Sequence, residues 1–505
     1  MPGFSASPVA TVAHRPVAVI DIGSNSVRLV AYDRLGRAPV SMFNEKSLCG
    51  LGRDVAVTGL LPPDGLVQAR DALKRFRVLC DLMRVERIFV LATAAVRKAR
   101  NGPDFIAEVE EILGEPVSVL SGTEEARLAA LGVISGLYRP NGLAGDLGGG
   151  SLELIDIADG EVGQGVSVEL GGLTLRDTSG KSLKKAAKIV AETLAGVPDL
   201  ARARGRDIFI IGGTWRAIAR LHMAKSNYPL NVLHGYTANA RALADFCADL
   251  QRVDLDQLPA IGEISRERKP LLVYGALVLG ELIQRTGAAR LVVCTSGVRE
   301  GVLFSQLPGA VQQQDALIAA ARALSDLHAR APAHADELIG WLDDFMQSAF
   351  PDETPAERRI RHAACLVSEV AWRANPDYRA EEAARMVAYA ALPAVDHRER
   401  AFLASVLHAR YEGLSENVQP PLRALLTLRE IDQARMLGCV IRVAFNISAG
   451  QPGVLSRAPL LMAAGKLTQF LPAAFANLSN ERLVGRLRQT AKMLGSGFEI
   501  SISGA

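Results

Sequence analysis

The sequence carries one motif twice. Residues 18–30 read AVIDIGSNSVRLV, and residues 144–157 read AGDLGGGSLELIDI. In each, an apolar run reaches an aspartate, breaks at a D-x-G-x-x-S turn and resumes as a second apolar run. Asp21, Gly23 and Ser26 align with Asp146, Gly148 and Ser151, and Val27-Arg28-Leu29-Val30 aligns with Leu152-Glu153-Leu154-Ile155. A strand–turn–strand unit repeated at this separation requires two related halves and so constrains the fold more than any other feature.

The flanking sequence follows the same plan in both copies. In the first third, strand-like runs RLVAYDR, RIFVLAT and EPVSVL surround a helical stretch that spaces Leu66, Ala69, Leu73, Phe76, Leu79, Cys80 and Met83 along one face. The second third offers LELIDIADG, DIFIIGG and RLVVC, with the helix-like KSLKKAAKIVAETLA between them. Strands alternating with helices predict α/β domains. Pro140 and Gly142 punctuate the boundary. Beyond about residue 315 the chain is rich in Ala, Leu and Arg with helical periodicity, and it closes on a short α+β stretch ending in FEISI. The domains are therefore expected at 1–138, 139–310, 311–445 and 446–505.

A chain of 505 residues with 49% apolar and 22% charged residues has the composition of a multi-domain globular protein. A net charge of +3 gives no sign of a nucleic-acid binder. The longest apolar stretch, residues 271–283, is too short for a membrane span and contains Glu281, so it is read as a buried helix. The opening MPGFSASPVATVAHRP lacks the apolar centre of a secretory leader. Six scattered cysteines with no C-x-x-C fit reduced thiols, and a cytoplasmic location is expected.

Gly-rich turns of this kind bring backbone N–H groups close to a phosphate, and Ser or Asn side chains add contacts. Gly23, Ser24, Asn25 and Ser26 supply one such loop, and Gly148, Gly149, Gly150 and Ser151 the other. Plain hairpin turns would explain one copy, but two matched copies favour phosphate. A carboxylate beside phosphate repels it, so Asp146 first and Asp21 second are candidate contacts for a divalent cation, with Mg²⁺ the natural choice. A third loop, Gly212-Gly213-Thr214, follows a strand and opens a helix, whose N-terminus favours an anion.

Two phosphate loops on duplicated domains plus a Gly-Gly-Thr loop resemble the actin-like (ribonuclease H-like) superfamily, which binds phosphates in the cleft between two related halves. The stretches ATAAVRKARNG, VLSGTEEARLAALGV, DLGGGSLEL and TSGVREGVL narrow the match. They resemble the exopolyphosphatase / guanosine pentaphosphate phosphohydrolase family over residues 17 to about 305. The resemblance implies Mg²⁺-dependent hydrolysis of a terminal phosphoanhydride, on inorganic polyphosphate or guanosine pentaphosphate, by a homodimer that binds neither nucleic acid nor membrane. It implies that Glu125 is the water-activating base and Arg97 a phosphate contact. Ser121 and Glu124 fit the S-x-x-E capping box, so Glu124 has a structural reason to be present and Glu125 does not need one from the cap.

The resemblance also implies an HD-like helical third domain. Here His362 is followed by Ser368-Glu369 where a His-Asp pair would stand, so that metal site is expected to be degenerate. Lys181, Lys184, Lys185 and Lys188 share one face by their i, i+3, i+4, i+7 spacing. A solvated face is the default reading, and a path for a long polyanion the functional alternative. An actin-like kinase and a non-enzymatic nucleotide or polyphosphate sensor are the rival classes. The carboxylate in TEEAR favours water as the phosphate acceptor, and undamaged loops disfavour a sensor.

Overall fold

A computed structural model describes residues 15–414 and 420–503. The reading of the first 14 residues lies outside them. The chain divides into two compact units. Unit 1 holds residues up to Ser135, Arg139–His222 and Thr237–Gln312, and unit 2 holds Gly136–Tyr138, Met223–Tyr236 and the chain from Gln313 onward.

Unit 1 contains the duplication. In its first half, β1 (Val17–Ile22), β2 (Ser26–Tyr32) and β3 (Ser41–Leu48) form an antiparallel meander. Two parallel strands, β4 (Arg87–Ala92) and β5 (Val117–Val119), extend the β1 edge to give the order β3-β2-β1-β4-β5. The second half repeats the scheme with β6 (Gly142–Leu147), β7 (Leu152–Ala158) and β8 (Glu161–Val162). A short β9 (Val166–Val168) pairs with β7. Here β10 (Asp207–Ile211) takes the β4 position beside β6, and β12 (Arg290–Val293) takes the β5 position, with β11 (Thr237–Asn239) added at the edge.

The matching hairpins have matching registers: Asp21 pairs with Arg28, and Asp146 with Glu153. The central strands β1 and β6 are apolar almost throughout because both faces are covered. On one side of the first sheet, Ile20, Ile22, Leu29, Leu73, Phe76 and Phe105 form a core with the Pro63–Leu82 and Gly102–Leu113 helices. The helix read from residues 271–283 forms as Leu272–Thr286 and is largely buried. Among the described residues no helix is long and apolar enough to cross a membrane.

Unit 2 is mostly helical. The Leu428–Ser448 helix packs on the His397–Glu412 and Glu481–Met493 helices. A small sheet, β13 (Leu460–Ala463), β14 (Lys466–Pro472) and β15 (Gly497–Ser503), belongs to the same unit. The buried Arg400 donates to the carbonyls of Val387, Ala388, Ala390 and Leu392, satisfying the open end of the Arg379–Tyr389 helix. Two short segments that lie inside the expected first and second domains, Gly136–Tyr138 and Met223–Tyr236, are built into unit 2. They dock there because Leu230 joins an apolar cluster with Ala384, Ala388 and Ala404, and Tyr228 bonds His397.

Candidate active site

The two D-x-G-x-x-S segments fold into the same turn. Gly23 N donates to Ser26 O and Gly148 N to Ser151 O, both at 3.0 Å. The turns face each other closely: a Cβ added to Gly149 would meet Ser24 Cβ at 3.4 Å, and one on Gly150 would meet Ser24 Oγ at 3.0 Å. Behind the first turn, Gly50 N donates to Asn25 O and Gly52 N to Ser24 O, bracing it. The third loop makes its bend at Gly212, whose φ of +93° suits glycine, and a side chain there would collide with the Leu147 carbonyl beside Asp146.

These loops enclose a cavity of about 220 Å³. Its lining includes Gly23 to Ser26, Gly148 to Ser151, Gly212 and Gly213, together with Asp21, Asp146 and Glu125. Glu125 stands in the first turn of the Gly122–Gly136 helix. Glu124 beside it closes the expected capping box, with Ser121 N to Glu124 Oε2 at 2.8 Å and Glu124 N to Ser121 Oγ at 3.2 Å. Glu125 Oε2 is buried with no hydrogen-bond partner. Arg97 Nη1 lies 3.7 Å from that oxygen and also donates to Leu120 O, so Arg97 supports Glu125 from behind and is not part of the lining.

Other expected residues lie elsewhere. Thr214 is buried, and its methyl group packs against Gly275, away from the cavity. The four lysines are exposed and do not line the cavity. Lys181 is not on their helix at all: Gly180 and Lys181 make a left-handed turn, Ser182 caps, and the helix runs Leu183–Ala195. The shared face is therefore Lys184, Lys185 and Lys188, and Lys188 pairs with Glu192.

Sequence reasoning missed six charged lining residues: Arg28, Lys46, Glu153, Arg216, Arg268 and Arg299. Arg28 and Glu153 could have been found, since each is the cross-strand partner of a singled-out aspartate and such partners share a face. The cavity thus has acids at its floor and five cations around them. Burial raises all four carboxyls above their ordinary range. Asp146 rises to about 6 despite Arg216, and Asp21 rises despite Arg299 and Arg28. Glu125 is raised by burial and then by the charges of Glu153, Asp146 and Asp21, and Glu153 by burial and the charge of Asp146. Ser167 Oγ donates to Glu153 Oε1 at 2.8 Å and opposes that rise.

Four close carboxylates raised in this way, one with an orphaned oxygen, are short of positive charge at their centre. Among the described residues no three His, Cys, Asp or Glu side chains form a ready-made metal cage. The set fits a hard divalent cation that keeps several waters and shares phosphate oxygens, as Mg²⁺ does.

In unit 2, Glu369 is held by Arg330, and His362 Nε2 lies 2.8 Å from Asp343 Oδ1. Ser368 is buried, and its carbonyl accepts from Tyr411.

The model of the Ppx/GppA phosphatase family matches residues 13–310, more than half of the chain. The chain belongs to the Ppx/GppA phosphatase family. It is accordingly a hydrolase. A second model, the exopolyphosphatase C-terminal domain, matches residues 317–501 as one piece. Among Ppx/GppA relatives, exopolyphosphatase 1 of Mycobacterium bovis is 30% identical over 312 residues, covering 57% of this chain and 87% of its own. Retrograde regulation protein 2 of Saccharomyces cerevisiae is 27% identical over 467 residues, covering 84% of this chain and 77% of its own. The crystal structure of an exopolyphosphatase from Cytophaga hutchinsonii superposes with a TM-score of 0.52 at 24% identity, over 57% of this chain and 97% of that one. That likeness supports the duplicated actin-like fold of unit 1.

Proposed function

We propose that this Ppx/GppA protein is a Mg²⁺-dependent exopolyphosphatase. Water attacks the terminal phosphorus of inorganic polyphosphate, the P–O–P bond breaks, and orthophosphate leaves a chain one unit shorter. The observation that carries the reading is Glu125 Oε2, buried and without a hydrogen-bond partner in a cavity bounded by both phosphate loops. It is the free acceptor for the proton of the attacking water. Arg97, 3.7 Å behind it, favours its charged form. Backbone N–H groups of the Gly23–Ser26 and Gly148–Ser151 loops other than those of Gly23 and Gly148, which close the turns, cradle the terminal phosphate, with Gly212 and Gly213 closing the third side. Arg28, Lys46, Arg216, Arg268 and Arg299 neutralise that phosphate and the next ones along the chain. Asp146 and Asp21 would hold Mg²⁺, aided by Glu153. When bound, the ion supplies charge for the phosphate oxygens and for the leaving chain.

Guanosine pentaphosphate remains the second substrate to test. Orthophosphate release from the two, compared with Mg²⁺ present, decides between them.

The finer organisation belongs to the same proposal. Boundaries near 138 and 310, and one at the end of the Leu428–Ser448 helix in place of the expected 445, divide two actin-like domains, an HD-like helical domain and a small α+β domain. The helical domain has lost its metal site, because Glu369 is committed to Arg330. It serves dimer formation and guides the polyphosphate chain. The six cysteines are buried and free, as suits a reducing cytoplasm.

A further inference from the structure

The capping box at Ser121 and Glu124 also has a counterpart in the second half. The Val298–Ser305 helix starts after β12 as the Gly122–Gly136 helix starts after β5, and Glu300 takes the Glu124 position. Glu300 Oε2 accepts from Gly297 N at 2.8 Å. The two glutamates then differ. Glu124 is exposed and serves the cap alone, whereas Glu300 Oε1 accepts a 2.6 Å hydrogen bond from the hydroxyl of Tyr32. Tyr32 ends β2 in the other half and is 3% exposed. A charge-assisted bond this short, joining residues 268 positions apart, exceeds what a helix cap requires.

The residue next to Glu300 is Arg299, a cation of the cavity wall. It faces three carboxylates, Glu300 first, then Asp21 and Asp146. With Gly297 N on one oxygen and the Tyr32 hydroxyl on the other, each Glu300 oxygen already accepts one short hydrogen bond, which spreads its charge and weakens its pull on the guanidinium. The backbone around it is also fixed. A side chain at Gly301 would collide with Leu128 O, and one at Gly132 with Gly297 O, so the two helices touch backbone to backbone.

We propose that Tyr32 and Glu300 are a positioning pair: the tyrosine hydroxyl occupies Glu300 so that Arg299 stays turned into the cavity for the substrate's phosphate. Neither residue touches substrate. The inference rests on the cavity being the phosphate site. It predicts an unusual rescue. Removing the hydroxyl frees Glu300 to pair with Arg299, and converting Glu300 to an amide then releases Arg299 again.

The test uses the full chain. Inorganic tripolyphosphate is titrated by calorimetry, with Mg²⁺, into a Glu125→Gln parent, so that binding is read without turnover. Adding Tyr32→Phe should weaken binding about ten-fold, the cost of one charge-assisted contact. Adding Glu300→Gln as well should restore most of that loss. In the active chain, Tyr32→Phe should raise KM for polyphosphate more than it lowers kcat. If the combined variant binds no better than Tyr32→Phe, or Tyr32→Phe lowers only thermal stability, the pair is structural and the inference fails. Should the parent bind tripolyphosphate while the active chain releases no phosphate from polyphosphate, the exopolyphosphatase reading fails and the titration still decides the pair. A parent that binds no tripolyphosphate contradicts both.

Discussion

The duplicated hairpins differ in charge at one matched position: Arg28 in the first faces the cavity where Glu153 does in the second. Symmetry supplies two loops, and this divergence separates the cationic wall from the acidic floor. Glu125 belongs to that floor, and its replacement is the sharpest single-residue test. Glu125→Gln keeps the shape but cannot take a proton, so kcat should fall about 100-fold or more while tripolyphosphate affinity holds. Near-normal release would remove Glu125 from the chemistry. Glu124→Gln, whose amide oxygen can still accept from Ser121 N in the cap, should cost roughly 0.5 kcal/mol of stability or less and little rate. Asp146→Ala should abolish the response to added Mg²⁺, measured as the phosphate-release rate across an Mg²⁺ titration. Much of this site was legible beforehand. Asp21, Asp146 and both loops stand out because small and acidic residues interrupt apolar strands, whereas Glu125, in a helix's first turn, was singled out by the family resemblance of its TEEAR segment. Arg216 and Arg268 were not legible, since their facing depends on where a helix turn or a distant loop comes to rest, nor was Lys46, whose place opposite Arg28 depends on the register of β3. Arg97 was legible as a residue but not as a second layer behind Glu125.

At the level of elements, the strand–turn–strand repeat predicted both sheets, and the matching hydrogen bonds in the two turns follow from the repeated D-x-G-x-x-S spacing. What periodicity could not give is the contact between the Gly122–Gly136 and Val298–Ser305 helices, which depends on glycines from distant parts of the chain. Gly301→Ala should force these helices apart at a cost of at least ~2 kcal/mol, with activity lost alongside. Denaturant unfolding measures the first and phosphate release the second, and an unchanged midpoint would contradict the packing described. The lysine face illustrates a limit of spacing. Four residues at i, i+3, i+4 and i+7 looked continuous, but a left-handed turn removes Lys181 from the helix. Changing Lys184, Lys185 and Lys188 to Gln should weaken long-polyphosphate binding and flatten its salt dependence if they guide the chain. Unchanged affinity and slope would make them a solvated surface.

For the whole molecule, the alternation of strands and helices followed by a purely helical texture made the overall class legible. The insertion of residues 136–138 and 223–236 into unit 2 was not, because it depends on long-range partners such as His397. Burial lowers the His397 pKa to about 4, below an ordinary histidine value near 6.5. The unfolded chain therefore binds the proton first, so this contribution to stability is present above about pH 6.5 and is lost as pH falls toward 4. The loss is at most about 3 kcal/mol, read by denaturant unfolding at pH 7 and pH 4.5. Asp343, lowered to about 2, loses its contribution only at more acid pH, so the two windows separate. The function itself is tested most directly by orthophosphate release from long-chain polyphosphate by the 505-residue chain, with Mg²⁺, with excess chelator, and with Glu125→Gln. Rapid release with Mg²⁺, and loss of that release in both other arms, is the predicted result. Equal release in chelator or from the glutamine variant, or release from guanosine pentaphosphate alone, would contradict it.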